Sequence, residues 1–246
     1  MTDQTHDFAT TTEMMDRLAA AAWDALATTA PRDLSLATIA ADAAIDAGAA
    51  RAIAGNVTTL ILHRLSQLDQ LAILESFADI ADAGDVTIRE KIMEAITHRF
   101  EIYNPYKAQV AQLEMAARRD PELGIRLLDN LVQAMRRILI MAGDDVVGWR
   151  GEARVRGVAA VSLLVARVWR DDESADLSIT MNEIDKRLAQ GEEWGRSLRV
   201  FDTGTAASTP SPSFDADQGD DSANNPADAS TAYDDKMNMS PDERYQ

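Results

Sequence analysis

VRGVAAVSLLVARVWRDDESADLSITMNEIDKRLAQGEEW, residues 155–194, is the stretch on which the fold turns. It reads as two helices joined by a short, solvated acidic corner, Asp171-Asp172-Glu173. The first, Gly157 to Trp169, is apolar everywhere except Ser162, Arg167 and its initial glycine. Such a helix must be covered on several sides, and it is too short to span a bilayer. The second carries a narrower stripe, Leu177, Met181, Ile184 and Leu188, at helical spacing. Ser174 and Asp176 stand as caps at its start. This is the packed end of an all-helical protein, with more apolar surface than one subunit hides. Val161, Val165 and Val168 with Leu177, Met181 and Ile184 are the side chains expected at a homodimer interface. Arg167, a charge on so apolar a helix, calls for a partner or a rim.

Upstream the apolar pattern stays helical. Only three prolines fall between residues 10 and 201, and no stretch alternates strictly or carries a hairpin dipeptide. The spacing predicts helices over 11–28, 36–43, 46–54, 57–80, 88–103, 106–119 and 121–141, which with the closing pair makes nine. Their punctuation is chemical: Pro31, Gly55-Asn56, Gly84, Thr87 as a cap, Asn104-Pro105, Asp120-Pro121, and Ala142-Gly143-Asp144 before the linker DDVVGWRG. Three units follow: 10–56, 57–201 and a tail, 202–246. The tail is rich in Ser, Thr, Asn, Asp and Pro and carries −8 of the chain's −17. Its composition cannot bury enough apolar surface to offset the entropy of ordering, so it is expected to be disordered.

The remaining −9 works against non-specific attraction to nucleic acid. The absence of cysteine excludes disulfides and thiolate metal sites. The N-terminus has no signal pattern and no run is long enough to cross a membrane, so a cytoplasmic protein is expected. His6, His63 and His98 lie on separate segments, with no zinc or di-iron spacing, no phosphate loop and no nucleophile elbow. The expectation is a non-enzyme with no metal and no cofactor. His98, one turn from Glu94, is at most a polar handle at a pocket.

The order of three short helices before six longer ones resembles the Tet-repressor superfamily. Within LATIAADAAIDAGAARAIAGNVTTL, residues 36–60, Ile39-Ala40, Ala43-Ala44-Ile45 and Gly48 fall where that family's helix-turn-helix has its Ile-Ala, Ala-Gly-Val and Gly. The resemblance implies that the helix beginning at Ala47 would enter the major groove. Ala47, Ala49 and Arg51 are then the DNA-contact residues. This chain departs from the family where it has Ala50-Arg51 for Leu-Tyr, Ala54 for an aromatic and Val57 for lysine. Base edges and phosphates are gripped by Arg, Lys, Asn, Gln and hydroxyls, and this helix offers one arginine.

Further along, Arg89-Glu90-Lys91, Arg99, Pro105, Ala142-Gly143-Asp144, Trp149, Val168-Trp169-Arg170-Asp171-Asp172-Glu173-Ser174 and Asp185-Lys186-Arg187-Leu188 resemble the coenzyme Q biosynthesis accessory proteins. That branch has a Tet-repressor-like fold. Tet-repressor-like proteins of alphaproteobacteria share the same signature. The resemblance implies an isoprenoid lipid or quinone precursor held between the C-terminal helices and presented to a hydroxylase of the ubiquinone pathway. Met93, Ile96, Phe100, Met135, Leu139, Leu164 and Trp169 are the bulky apolar residues expected at such a pocket. Plain core is the other reading of the same spacing. Trp149 and Arg150 occupy the family's partner surface, where an aromatic pair is usual. Trp194, Leu198 and Phe201 beside Arg196 and Arg199 would allow peripheral contact with the inner membrane. The alternative function is a ligand-responsive regulator that binds operator DNA through residues 36–60.

Overall fold

The computed structural model describes residues 3–82 and 85–197, and every regular element among them is helical. The expectations for 202–246, for Leu198 and Phe201, and for the side chain of Trp194 lie outside the described residues. The elements are α1 (Asp3–Ala25), α2 (Leu36–Asp42), α3 (Ala47–Ala54), α4 (Val57–Asp82), α5 (Ile88–Tyr103), α6 (Lys107–Ala117), α7 (Pro121–Ala142), α8 (Gly148–Asp171) and α9 (Ser178–Ser197). Short 3-10 turns at Pro31–Asp33 and Asn104–Tyr106 complete the order. No described helix is long and apolar enough to cross a membrane.

Local chemistry accounts for most helix ends. Ser35 Oγ accepts from Thr38 N, 3.1 Å away, and Asp46 Oδ1 from Gly48 N and Ala49 N at 2.8 and 3.0 Å. Thr87 and Glu90 form a reciprocal capping box. Asp120 caps α7 ahead of Pro121, and Gly143 ends it in the left-handed conformation, φ 89°.

Three expectations are corrected. α1 begins at Asp3 rather than near residue 11. α8 begins at Gly148 rather than Gly157, so the second half of the expected linker is its first turn. Gly151 presses that turn so close to the backbone of Val146 that any Cβ would collide. Arg154, one turn on, holds the loop by a bidentate pair to Asp144 at 2.7 and 3.0 Å. Neither feature has a signature in hydrophobic periodicity. The third correction is the acidic corner, where Asp172 is 2% exposed. Its Oδ2 accepts from the amide and hydroxyl of Thr180 at 2.9 and 2.6 Å, and its Oδ1 from the amide and hydroxyl of Ser174. Asp172 therefore caps α9 from eight residues upstream. Ser174 is a donor to Asp172, while Asp176 accepts from Ser178 N at 3.2 Å. Burial works to raise the Asp172 pKa. The Ser174 and Thr180 hydroxyls and amides more than offset that, and hold the carboxyl well below the usual range.

The apolar interior forms two clusters. The smaller joins α1, α2 and α3 to the first turn of α4 through Leu18, Ala19, Ala22, Ile39, Ala40, Ala50, Ala54 and Leu60. The larger takes in α4 to α9 around Ile96, Phe100, Met135, Leu139 and Trp169. Leu34 and Val57 pack against both, so the two cores share a wall.

Candidate functional site

α2 and α3 are joined by a four-residue turn, 43–46. Ala44 in the turn takes a positive φ of 53°, and Arg17 of α1 donates to the Ala43 carbonyl to hold it. Backbone amides of Ala49 and Gly48, with Arg51 nearby, lower the pKa of the exposed Asp46. A carboxylate thus sits at the head of α3. Arg51 and Ala52 project into solvent, whereas Ala47 and Ala49 are half-buried. Of the three DNA-contact residues expected, only Arg51 combines exposure with a group able to grip a base or phosphate.

The pocket residues are placed differently from expectation. Ile96, Phe100, Met135, Leu139 and Trp169 are buried against one another, with the Phe100 and Trp169 rings 5.5 Å apart. Met93 packs on the same cluster, and Leu164 faces outward at 38% exposure. Helical spacing brought Ile96, Phe100, Met135, Leu139 and Trp169 together in the core cluster. The Trp169 indole N–H is buried there with no acceptor among the described residues.

An open groove of about 500 Å³ lies instead between α4 and the α5–α6 corner. Leu68, Leu71, Ile102, Pro105 and Tyr106 supply its apolar lining, with Arg64, Gln67 and Glu101 at the polar positions. Arg64 Nη1 donates to Gln67 Oε1 at 3.2 Å, while its buried Nε–H has no acceptor among the described residues. At the corner Asn104 keeps α-helical angles, φ −58° and ψ −39°, but Pro105 has no N–H to continue the α5 ladder, and the turn tightens into a 3-10 helix. Leu74 and Phe77 continue the exposed apolar side of α4 beyond the groove.

A buried polar network crosses the larger core nearby. Asp69, 1% exposed, receives Arg99 Nε at 2.8 Å, the Tyr103 hydroxyl at 3.0 Å and Asn130 Nδ2 at 3.2 Å. Burial and the Asp69 carboxylate push the Tyr103 pKa well up, so its hydroxyl stays a donor. Sequence patterning missed this network because its members lie on α4, α5 and α7, far apart in the chain.

The expected dimer residues also sort by face. Val161, Val165, Leu177 and Ile184 point into the chain's own core, and Val168 is half-buried. That corrects their assignment to an intersubunit surface. Ala160, Leu163 and Leu164 form an exposed apolar side of α8, and Ile179 and Met181 are exposed on α9. Arg167 reaches solvent on that same side. Trp149 is 66% exposed under the Arg150 guanidinium, 5.6 Å from the ring centroid, and Val147 beside it is 78% exposed.

His98 does not stand at the groove or in the core. Its partners are the carboxylates of Asp79, Glu94 and Glu101. No family model matches this chain, and no curated protein matches it significantly.

Proposed function

We propose that this chain is a non-enzymatic lipid-binding accessory protein with a Tet-repressor-like fold, acting in ubiquinone biosynthesis as a homodimer. The observation that carries the reading is the groove beside α4. It is apolar along Leu68, Leu71, Ile102 and Tyr106, with Arg64, Gln67 and Glu101 at its polar positions. A prenylated ring with carbonyl or hydroxyl oxygens satisfies both parts, and the volume suits a ring head and the start of its chain. The exposed side of α8 at Ala160, Leu163 and Leu164 is the surface two copies would share. Trp149 and Val147 are the exposed apolar pair offered to a pathway hydroxylase. The resemblance at residues 166–188 supplies the pathway.

The test is mass spectrometry of lipid extracted from the purified chain, repeated on Leu71→Glu. Leu71 is 43% exposed, so its replacement leaves the core intact while placing a charge in the groove. An isoprenoid quinone precursor in the wild type, lost from the variant, is the expected result. A lipid-free wild type, or equal lipid in both, would overturn it.

A second reading, operator binding, is favoured by the intact construction of the helix-turn-helix: caps at Ser35 and Asp46, and Arg17 bracing the turn. Its test is a gel shift with the DNA upstream of the chain's own gene, in which Arg51→Ala would abolish a specific complex. The bare helix-turn-helix surface predicts no such complex at physiological salt.

A further inference from the structure

We propose that Asp79, Glu94 and His98 bind one divalent transition-metal ion, Zn2+ by preference, as a clasp between α4 and α5. Asp79 stands near the end of α4, and Glu94 and His98 lie one turn apart on α5. Their ligating atoms all fall within 4.8 Å of one another. His98 Nε2 is 2.8 Å from Asp79 Oδ2 and 3.4 Å from Glu94 Oε1. Edges of roughly 3.3 Å separate the ligands of a tetrahedral ion with bonds of about 2.0–2.2 Å. The third edge, Asp79 to Glu94, is no longer than 4.8 Å, a gap that rotation of two exposed carboxylates can close.

A second feature points the same way. His98 Nδ1 is 3.3 Å from Glu101 Oε2. Metal-bound imidazoles hand their distal N–H to a carboxylate, which fixes the tautomer and leaves the other nitrogen free to ligate. Glu101 is placed to do this for Nε2. The His98 side chain is 16% exposed while Asp79, Glu94 and Glu101 are 63, 45 and 48% exposed. The imidazole is held by the protein and the open side is acidic. Among the described residues no lysine or arginine pairs with any of these three carboxylates. A dication would supply the missing positive charge. One imidazole with two carboxylate oxygens suits Zn2+ ahead of Mg2+ or Ca2+, which take oxygen-only sets. The fourth position is left to water.

Of these four residues only Glu101 also lines the groove beside α4, and none of the three ligands does. Sequence spacing alone gives only Glu94 and His98, since the third ligand comes from another helix.

The experiment is titration of the chelator-stripped full chain with ZnCl2 by calorimetry, with thermal melts in parallel. About one equivalent should bind saturably. At a hundredfold excess over Kd the melting temperature should rise by about 5 °C. His98→Ala should abolish the saturable phase, and Asp79→Asn and Glu94→Gln should each weaken it at least tenfold. Glu101→Gln should weaken it by about tenfold without changing stoichiometry. Asp79 and Glu94 are exposed enough that their variants keep the fold, so a misfolded His98→Ala would not end the test. Co2+ in place of Zn2+ should give visible d–d absorption that Asp79→Asn removes. Only weak, unsaturable binding in the wild type would overturn the proposal. Saturable binding unchanged in Asp79→Asn and Glu94→Gln would do so too.

Discussion

The small core under α1–α3 and the large core around Phe100 are both buried, yet they are built from different side chains. The first is mostly alanine, with Leu18, Ile39 and Leu60 as its bulky members. The second combines Trp, Phe, Met, Ile and Leu and carries the Asp69 network through its middle. Alanine lets helices approach closely but contributes little area per residue, so the small core depends on shape. The large core has more area to lose and a buried charge whose partners must all be present. The first core is held by the fit of small side chains, the second by apolar area around a satisfied polar centre.

The sharpest way to break this contrast is Asp69→Ala. It strands Arg99, Tyr103 and Asn130 in the interior, and should cost about 3–5 kcal/mol in urea unfolding. A loss under about 1 kcal/mol would mean water already reaches the network.

Leu139→Ala comes next, because Leu139 is 1% exposed in the cluster that the pocket expectation had opened. A packed site loses about 3 kcal/mol. A much smaller loss would bring back a lipid cavity in the core. The opposite change, Ala50→Leu in the small core, should cost about 2 kcal/mol by overpacking, since Ala50 is fully buried. If Ala50→Leu is neutral, the small core has slack and the contrast fails.

The smallest effect is the pH-dependent one. Asp172 has a depressed pKa in the folded chain, so its carboxylate stabilises the fold above the unfolded-state value of about 3.9. That stability is lost as pH falls through the lower, folded value. Asp172→Asn should cost about 1.5 kcal/mol at pH 7. The gap from wild type should narrow below about pH 4 in acid-unfolding curves. A gap that stays constant down to pH 2 would show that the carboxylate's charge contributes nothing.

Helix type and most helix ends were legible in the chain because they depend on neighbours within four residues. Thr87 and Glu90, Asp120 and Pro121, and Ser35 and Thr38 meet wherever the backbone turns helical. The poverty of α3 in base-gripping groups is equally local, a property of residues 47–54 read one by one. The face each apolar side chain presents was decided elsewhere. On α8 packing buried Val165 and left its neighbour Leu164 exposed, because a helix apolar on all sides does not say which side its neighbours cover.

Tertiary structure also decided everything that joins distant positions. It aimed Asp172 at Thr180, gathered Arg99, Tyr103 and Asn130 on Asp69, and set Asp79 beside His98. Such contacts depend on how the helices cross, which the whole set of packed side chains settles at once. No local window of sequence contains that information.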